Sequence, residues 1–476
     1  MRKEFACMLF FALAMPPFCA AAQVAPVQAP ATPPPFTRAT ARAIDAIGLS
    51  ELHSGSTPGM AIGVVEEGLL VYARGFGFAD LGTHRRATPA TQFYAGSVSK
   101  QFTAAAVLLL VQDKKIALSD TVTKYVPELR IAKNVTIQQL LEQTSGLPDY
   151  TQAPGIDHDP NRPVRLDNVI AAVNNMQPAG APGAHFTYNN FNYMIAALIV
   201  QRVSGEPFSD FLQSHIFQPL IMTSTFLAGD QGISPDRAVG YTRSRGRFQR
   251  VRVWNDSWLF GAGDIVTTVD DLAKWDVGLP LVLTVDSVRE MWSAGSAPGG
   301  TNYGMGWVID QRGGQRYLWH NGELAGFHSI NGLLPDQHLA VIVLANADSL
   351  HAQTTVSPER VAARVLDAVA PLPPTRFGNV ILQRADEWLG RLARVDIDRT
   401  QLTPEFSQYL TDQVVIGADL NELGPVQTMV PIESFRRSTD TVYVFDVRFE
   451  HGALRYQFAL TSDGKIDGLL FAPSTA

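Results

Sequence analysis

The chain has 476 residues, of which 46% are hydrophobic and 17% charged, and it carries a formal net charge of -7. That balance is ordinary for a folded protein with room for two or three domains and a large core. It excludes a nucleic-acid binder, which would present a basic face.

The first elements predict export. Arg2 and Lys3 precede an apolar run from Phe5 to Met15, and Ala20, Ala21 and Ala22 offer a signal-peptidase site before Gln23. The run is too short to span a bilayer. Residues 1–22 therefore read as the signal peptide of a periplasmic or secreted bacterial protein, with no transmembrane segment in the mature chain. Both cysteines, Cys7 and Cys19, fall inside that segment, so the mature chain is expected to fold without disulfides. Residues 23–36 are rich in Ala and Pro and read as an extended linker.

Folded structure is predicted from residue 37, beginning with a helix. Met60 to Val65 and Leu69 to Phe78 have strand composition, with Glu66-Glu67-Gly68 as the turn between them. Gln101 to Val111 is apolar almost all round and predicts a buried helix. Apolar spacing stays mostly helical from Ile116 to Ile233, including Asn192–Val203 and Phe208–Phe217. Strands return at Tyr317–His320, Phe327–Leu334 and Leu339–Ala345, and a helix follows at Pro358–Ala370. Early strands, a helical middle and late strands predict an α+β fold whose sheet is built from both ends of the segment, with a helical lobe inserted. After Pro371-Leu372-Pro373-Pro374, a helix at Gln383–Leu392 and strands at Tyr443–Phe449, Ala453–Leu460 and Ile466–Phe471 predict a small C-terminal α+β domain over 376–476.

Ser97-Val98-Ser99-Lys100 stands at the head of the buried helix. Residues three apart share a helix face, so the Lys100 amine can reach the Ser97 hydroxyl, and partial desolvation makes that amine a better base. A capped helix with a surface lysine explains those four residues equally well when they stand alone. Further along are Phe186-Thr187-Tyr188-Asn189-Asn190 and Trp319-His320-Asn321-Gly322-Glu323. Taken singly, these read as aromatic core before a helix and a polar turn.

Together, and in this order, the three elements resemble the Ser-x-x-Lys, Tyr-x-Asn and Lys-or-His-x-Gly motifs of the penicillin-recognising serine hydrolases, in the branch of class C β-lactamases, DD-peptidases, D-aminopeptidases and related esterases. Leu140 to Tyr150 resembles the family's Leu-Leu-x-His-Thr-Ser-Gly-Leu-Pro segment, with Gln143 where the family has His. Ile216 to Leu220, Asp270 to Trp275 and Tyr303-Gly304-Met305-Gly306-Trp307 match other landmarks. The resemblance implies a β-lactamase/transpeptidase-like domain over 37–370, an antiparallel sheet flanked by helices, followed by a non-catalytic accessory domain.

It also implies site roles. Ser97 would be the nucleophile forming an acyl-enzyme, Lys100 its partner amine, and Tyr188 a general base or proton shuttle whose phenol ionises more readily beside an ammonium. The order of proton transfer between Lys100 and Tyr188 stays open. Asn190, His320 and Gly322 would bind substrate, and the backbone N–H groups of Ser97 and Glu323 would form the oxyanion hole. His320 replaces the lysine of the β-lactamase form, and a histidine is only partly charged near neutral pH. This shifts the expected substrate towards small amides, D-amino-acid peptides or esters, with β-lactams or a non-catalytic penicillin-binding or sensing module as alternatives. No cofactor or metal is implied, and no protein partner.

Other signals carry less. Ser99 points to a different helix face from Lys100, and Ser145 has no base nearby in sequence. Asp157-His158-Asp159 lacks further metal-ligand spacing, and Gly261-Ala262-Gly263-Asp264 lacks the residues of a phosphate loop. Arg243, Arg245, Arg247, Arg250 and Arg252 read as a solvated hairpin or as a rim that attracts anionic substrate.

Overall fold

The computed structural model describes residues 35–229, 234–244, 246–295, 297, 301–348, 358–371, 379–410, 420–437 and 440–473. The expected signal peptide, almost all of the linker, and Arg245 lie outside the described residues.

Leu339–Ala345, the last strand of its segment, is buried along its whole length and pairs antiparallel with Gly59–Glu66, the first, from Met60 opposite Ala345 to Glu66 opposite Leu339. This pairing joins the two ends of the segment, as the apolar runs at Met60 and Leu339 predict. The whole sheet has seven strands, in the order Arg85–Arg86, Leu69–Asp80, Gly59–Glu66, Leu339–Ala345, Phe327–Leu334, Gln315–Leu324 and Val308–Arg312. Each neighbouring pair is antiparallel. Helices Arg38–His53 and Pro358–Val369 cover one face, where Ile44, Ile47, Val361 and Val365 pack against Ile62, Val64 and Val343. On the other face, Val269–Val282 lies against the central strands. Beyond it are helices Ser99–Gln112 and Asn190–Ser204, which are buried along most of their length and pack on each other. An apolar stretch with no polar face has nowhere else to go.

Several expected boundaries move. The strand expected at Tyr317–His320 runs from Gln315 to Leu324, and the helix expected at Phe208–Phe217 is α-helical only to Leu212 before a π turn at Gln213–Phe217. The C-terminal helix spans Asn379–Ala393. Its sheet gains a strand, Val426–Arg437, that the periodicity does not announce, and the other three follow as a meander at Asp440–Phe449, Gly452–Leu460 and Ile466–Pro473. Trp388, Leu389, Phe445, Tyr456 and Phe458 give this part its own core. Among the described residues no helix is long and apolar enough to cross a membrane.

Candidate functional site

Ser97 lies in a single 3-10 turn, Gly96–Val98, that feeds directly into the helix beginning at Ser99. The turn is pressed against the strand Gln315–Leu324. Gly96 has φ +53°, and a Cβ there would sit 2.9 Å from Gly322 C and 3.0 Å from Glu323 N, while a Cβ on Gly322 would run into Ala95 O. Ser329 Oγ donates to Ala95 O at 2.7 Å, tying the turn to the neighbouring strand. Only glycine at 96 and 322 allows two backbones to come this close. That approach brings the residues whose N–H groups were expected to form the oxyanion hole, Ser97 and Glu323, to one place.

Lys100 is fully buried. Its Nζ lies 3.0 Å from Ser97 Oγ, 2.7 Å from Asn190 Oδ1 and 2.8 Å from Ala262 O, over the rings of Tyr188 and Tyr193 at 4.9 and 5.6 Å from their centroids. Burial pushes the amine well below its ordinary pKa, against the attraction of Asp264. In the neutral form its two N–H groups satisfy the two carbonyl oxygens, and the lone pair is left facing the Ser97 hydroxyl.

Tyr188 reaches the same place from the opposite side. The residue is 42% exposed, but desolvation around its hydroxyl raises the phenol, with Ser97 alone lowering it. The expected balance is thus shifted: burial lowers the amine and raises the phenol, because both charged forms are poorly solvated here. Asn190 opens the helix Asn190–Ser204, capped by Asn189, whose Oδ1 accepts from Phe191 N at 2.9 Å.

His320 is 2% exposed, and both ring nitrogens have protein partners: Nδ1 donates to Asn321 O at 2.5 Å, and Nε2 accepts from Tyr303 Oη at 2.9 Å. Burial above all pulls its pKa down to about 3, a protonated Lys100 adds to the effect, and the bond to Asn321 opposes it. The histidine is neutral at pH 7, where its ordinary value predicts partial charge.

Sequence reasoning passed over two residues. Tyr303, quoted only as a landmark, is fully buried against His320 and lies edge-on to Tyr188, with ring centroids 6.2 Å apart. Gln143 adopts φ +60°; its carbonyl accepts from Thr187 N at 2.8 Å, and its Oε1 accepts from Asn189 N at 3.1 Å and Asn192 Nδ2 at 2.7 Å. It therefore grips the chain on both sides of Tyr188. Its departure from the family's histidine was the available signal. The competing serines are occupied structurally: Ser99 Oγ accepts from Ile265 N, and Ser145 Oγ donates to Asn192 Oδ1. Asp157 and Asp159 both turn to Arg162.

The family model described as Beta-lactamase matches residues 37–365. The chain belongs to the β-lactamase family. Among curated proteins it is similar to Protein flp of Staphylococcus aureus, 29% identical over 326 residues covering 66% of this chain and 64% of that one. It thus spans a little under two thirds of that relative's length. The D-amino acid amidase from Ochrobactrum anthropi SV3, solved with L-phenylalanine amide, superposes with a TM-score of 0.62 at 26% identity, covering 70% of this chain and 98% of that one. An octameric penicillin-binding protein homologue from Pyrococcus abyssi shares the fold over 90% of this chain and 98% of its own, with a TM-score of 0.61 at 20% identity.

Proposed function

We propose that this member of the family is an exported serine hydrolase that cleaves a small amide, a D-amino-acid peptide or an ester through an acyl-enzyme on Ser97. The observation that carries the reading is the environment of Lys100 Nζ, two carbonyl acceptors and one hydroxyl around a buried amine. Residues 37–370 do the chemistry in this reading, and 376–476 form an accessory domain.

As Ser97 Oγ attacks the substrate carbonyl, its proton passes to the neutral Lys100 amine. The carbonyl oxygen becomes an oxyanion between the N–H groups of Ser97 and Glu323, each such donor contributing about 3 kcal/mol to the barrier reduction. Tyr188, still protonated, hands its proton to the departing amine or alcohol and is reprotonated from Lys100. Water then attacks the ester, with the same groups working in reverse. Asn190 Nδ2 is left to meet the acyl amide, since its Oδ1 is taken by Lys100.

The D-amino acid amidase likeness and the neutral His320 both favour amides and esters. A β-lactam would find no fixed positive charge at His320 for its carboxylate. Intact mass after treatment with a fluorophosphonate tests the reading: one adduct is expected on the wild type and none on Ser97→Ala. An unlabelled wild type, or an adduct persisting in the variant, overturns it.

A further inference from the structure

A second feature lies at the end of the strand Gln315–Leu324 away from His320. Leu324 pairs with Phe327 across the turn at Ala325-Gly326, and the hairpin of Tyr241–Ser244 and Arg247–Arg250 packs onto that turn. Tyr241 N donates to Gly326 O at 3.4 Å, and a Cβ on Gly326 would meet Gly240 Cα at 2.6 Å and Val251 Cγ2 at 2.7 Å. Between hairpin and turn is a cleft of about 460 Å³, walled by Tyr94, Phe327 and three arginines, Arg237, Arg250 and Arg252.

Among the described residues none of the three arginines forms an ion pair. Arg237 is held between the rings of Tyr94 and Phe226, 5.6 and 5.3 Å from their centroids. Its Nε and Nη2 are buried with no hydrogen-bond partner among the described residues. Leaving guanidinium N–H groups buried and unmet is costly. Arg250 and Arg252 are exposed at the mouth. Asp159 feels Arg252 but makes its ion pair with Arg162, and Asp256 approaches the Tyr94 hydroxyl together with Arg237. In a chain of net charge -7, three arginines that form no ion pair among the described residues, set around one aromatic cleft, select for an anion.

We propose that this cleft binds a carboxylate carried by the substrate, at the end of the oxyanion strand opposite His320. Tyr94 is three residues before Ser97 and Phe327 is four after Glu323, and their rings lie 5.2 Å apart, so the cleft adjoins the turn and the strand that carry the proposed reaction centre. The assignment rests on the reading of Ser97 as nucleophile and adds a substrate class to it: an amide, peptide or ester with an acidic group beyond the scissile bond.

The test uses phenylboronic acids as reversible serine adducts on the full chain. The series carries a carboxylate on the ring directly or through one- and two-carbon tethers, each beside its matched carboxamide. Competition with fluorophosphonate labelling of Ser97 gives the affinity. At least one acid should bind about tenfold tighter than its amide, as one charge-assisted hydrogen bond allows, and added salt should shrink the advantage. Arg237→Gln should abolish it; so should the exposed double variant Arg250→Gln/Arg252→Gln, which avoids disturbing the Tyr94 stack, and both should keep wild-type labelling rates. If no acid outperforms its amide, or the preference survives in the double variant and in a folded Arg237→Gln, the anion site is overturned. If phenylboronic acid fails to compete and Ser97 is not labelled, the nucleophile reading itself has failed.

Discussion

Tyr303 Oη donates to His320 Nε2 at 2.9 Å, so the histidine standing in the lysine position of the β-lactamase form is engaged by the protein on both nitrogens. Tyr303→Phe would leave a buried imidazole nitrogen without a donor. A loss of about 1–3 kcal/mol is expected, read as a lower urea midpoint with unchanged m value; an unchanged midpoint would mean the bond contributes nothing.

The neutrality of His320 has a pH signature. Its folded pKa of about 3 lies below the ordinary 6.5, so on acidification through 6.5 the unfolded chain takes up a proton that the folded chain refuses. Stability contributed by this group is full above 6.5 and is lost towards pH 3, in proportion to the gap. His320→Gln should therefore flatten the acid limb of a stability profile measured by urea denaturation. Activity on an uncharged substrate should show no step near 6.5.

Lys100 gives a complementary prediction. Because burial holds its pKa well below 10.5, the amine loses its proton at a lower pH than an ordinary lysine does. For a neutral ester, kcat/KM should not rise as pH approaches 10.5, and any rising limb should lie on the acid side. A steep increase towards 10.5 would show that Lys100 is an ordinary ammonium. Lys100→Arg, a permanent cation, should lower turnover by roughly 10²–10⁴-fold.

Gln143→Ala keeps the left-handed backbone but removes the acceptor for Asn189 N and Asn192 Nδ2. About 1–3 kcal/mol of stability should go with it. As Tyr188 and Asn190 loosen, kcat should fall more than KM rises. Equal effects on a distant probe of stability alone, with kcat intact, would confine Gln143 to a structural part.

Gly322→Ala places a methyl against Ala95 O. The strand and the Ser97 turn must then separate, and with them the N–H groups of Ser97 and Glu323 proposed as oxyanion donors. Loss of one such donor corresponds to about 10²–10³ in kcat; circular dichroism should meanwhile stay native, and near-normal turnover would dissociate the close approach from catalysis.

Much of the fold was legible because burial on all sides leaves a continuous apolar run. Gln101–Val111, Met60–Val65 and Leu339–Ala345 announce themselves in that way. Val426–Arg437 did not, since its side chains alternate too loosely, and neither did the π turn at Gln213–Phe217, which keeps helical spacing. Ser97 and Lys100 could be paired from sequence because a helix fixes their separation. Tyr303 and Gln143 could not be attached to them, since nothing local links residues so far apart.

The sequence by itself determined which groups are present and in what order: a hydroxyl and an amine three residues apart, a tyrosine before a capped helix, and a glycine strand with histidine for lysine. The tertiary structure decided their charge. Lys100 is surrounded by Asn190, Ala262 and two tyrosine rings, and His320 by Tyr303 and the Asn321 carbonyl. Desolvation depends on what distant segments bring to within a few ångströms, and no spacing along the chain encodes it.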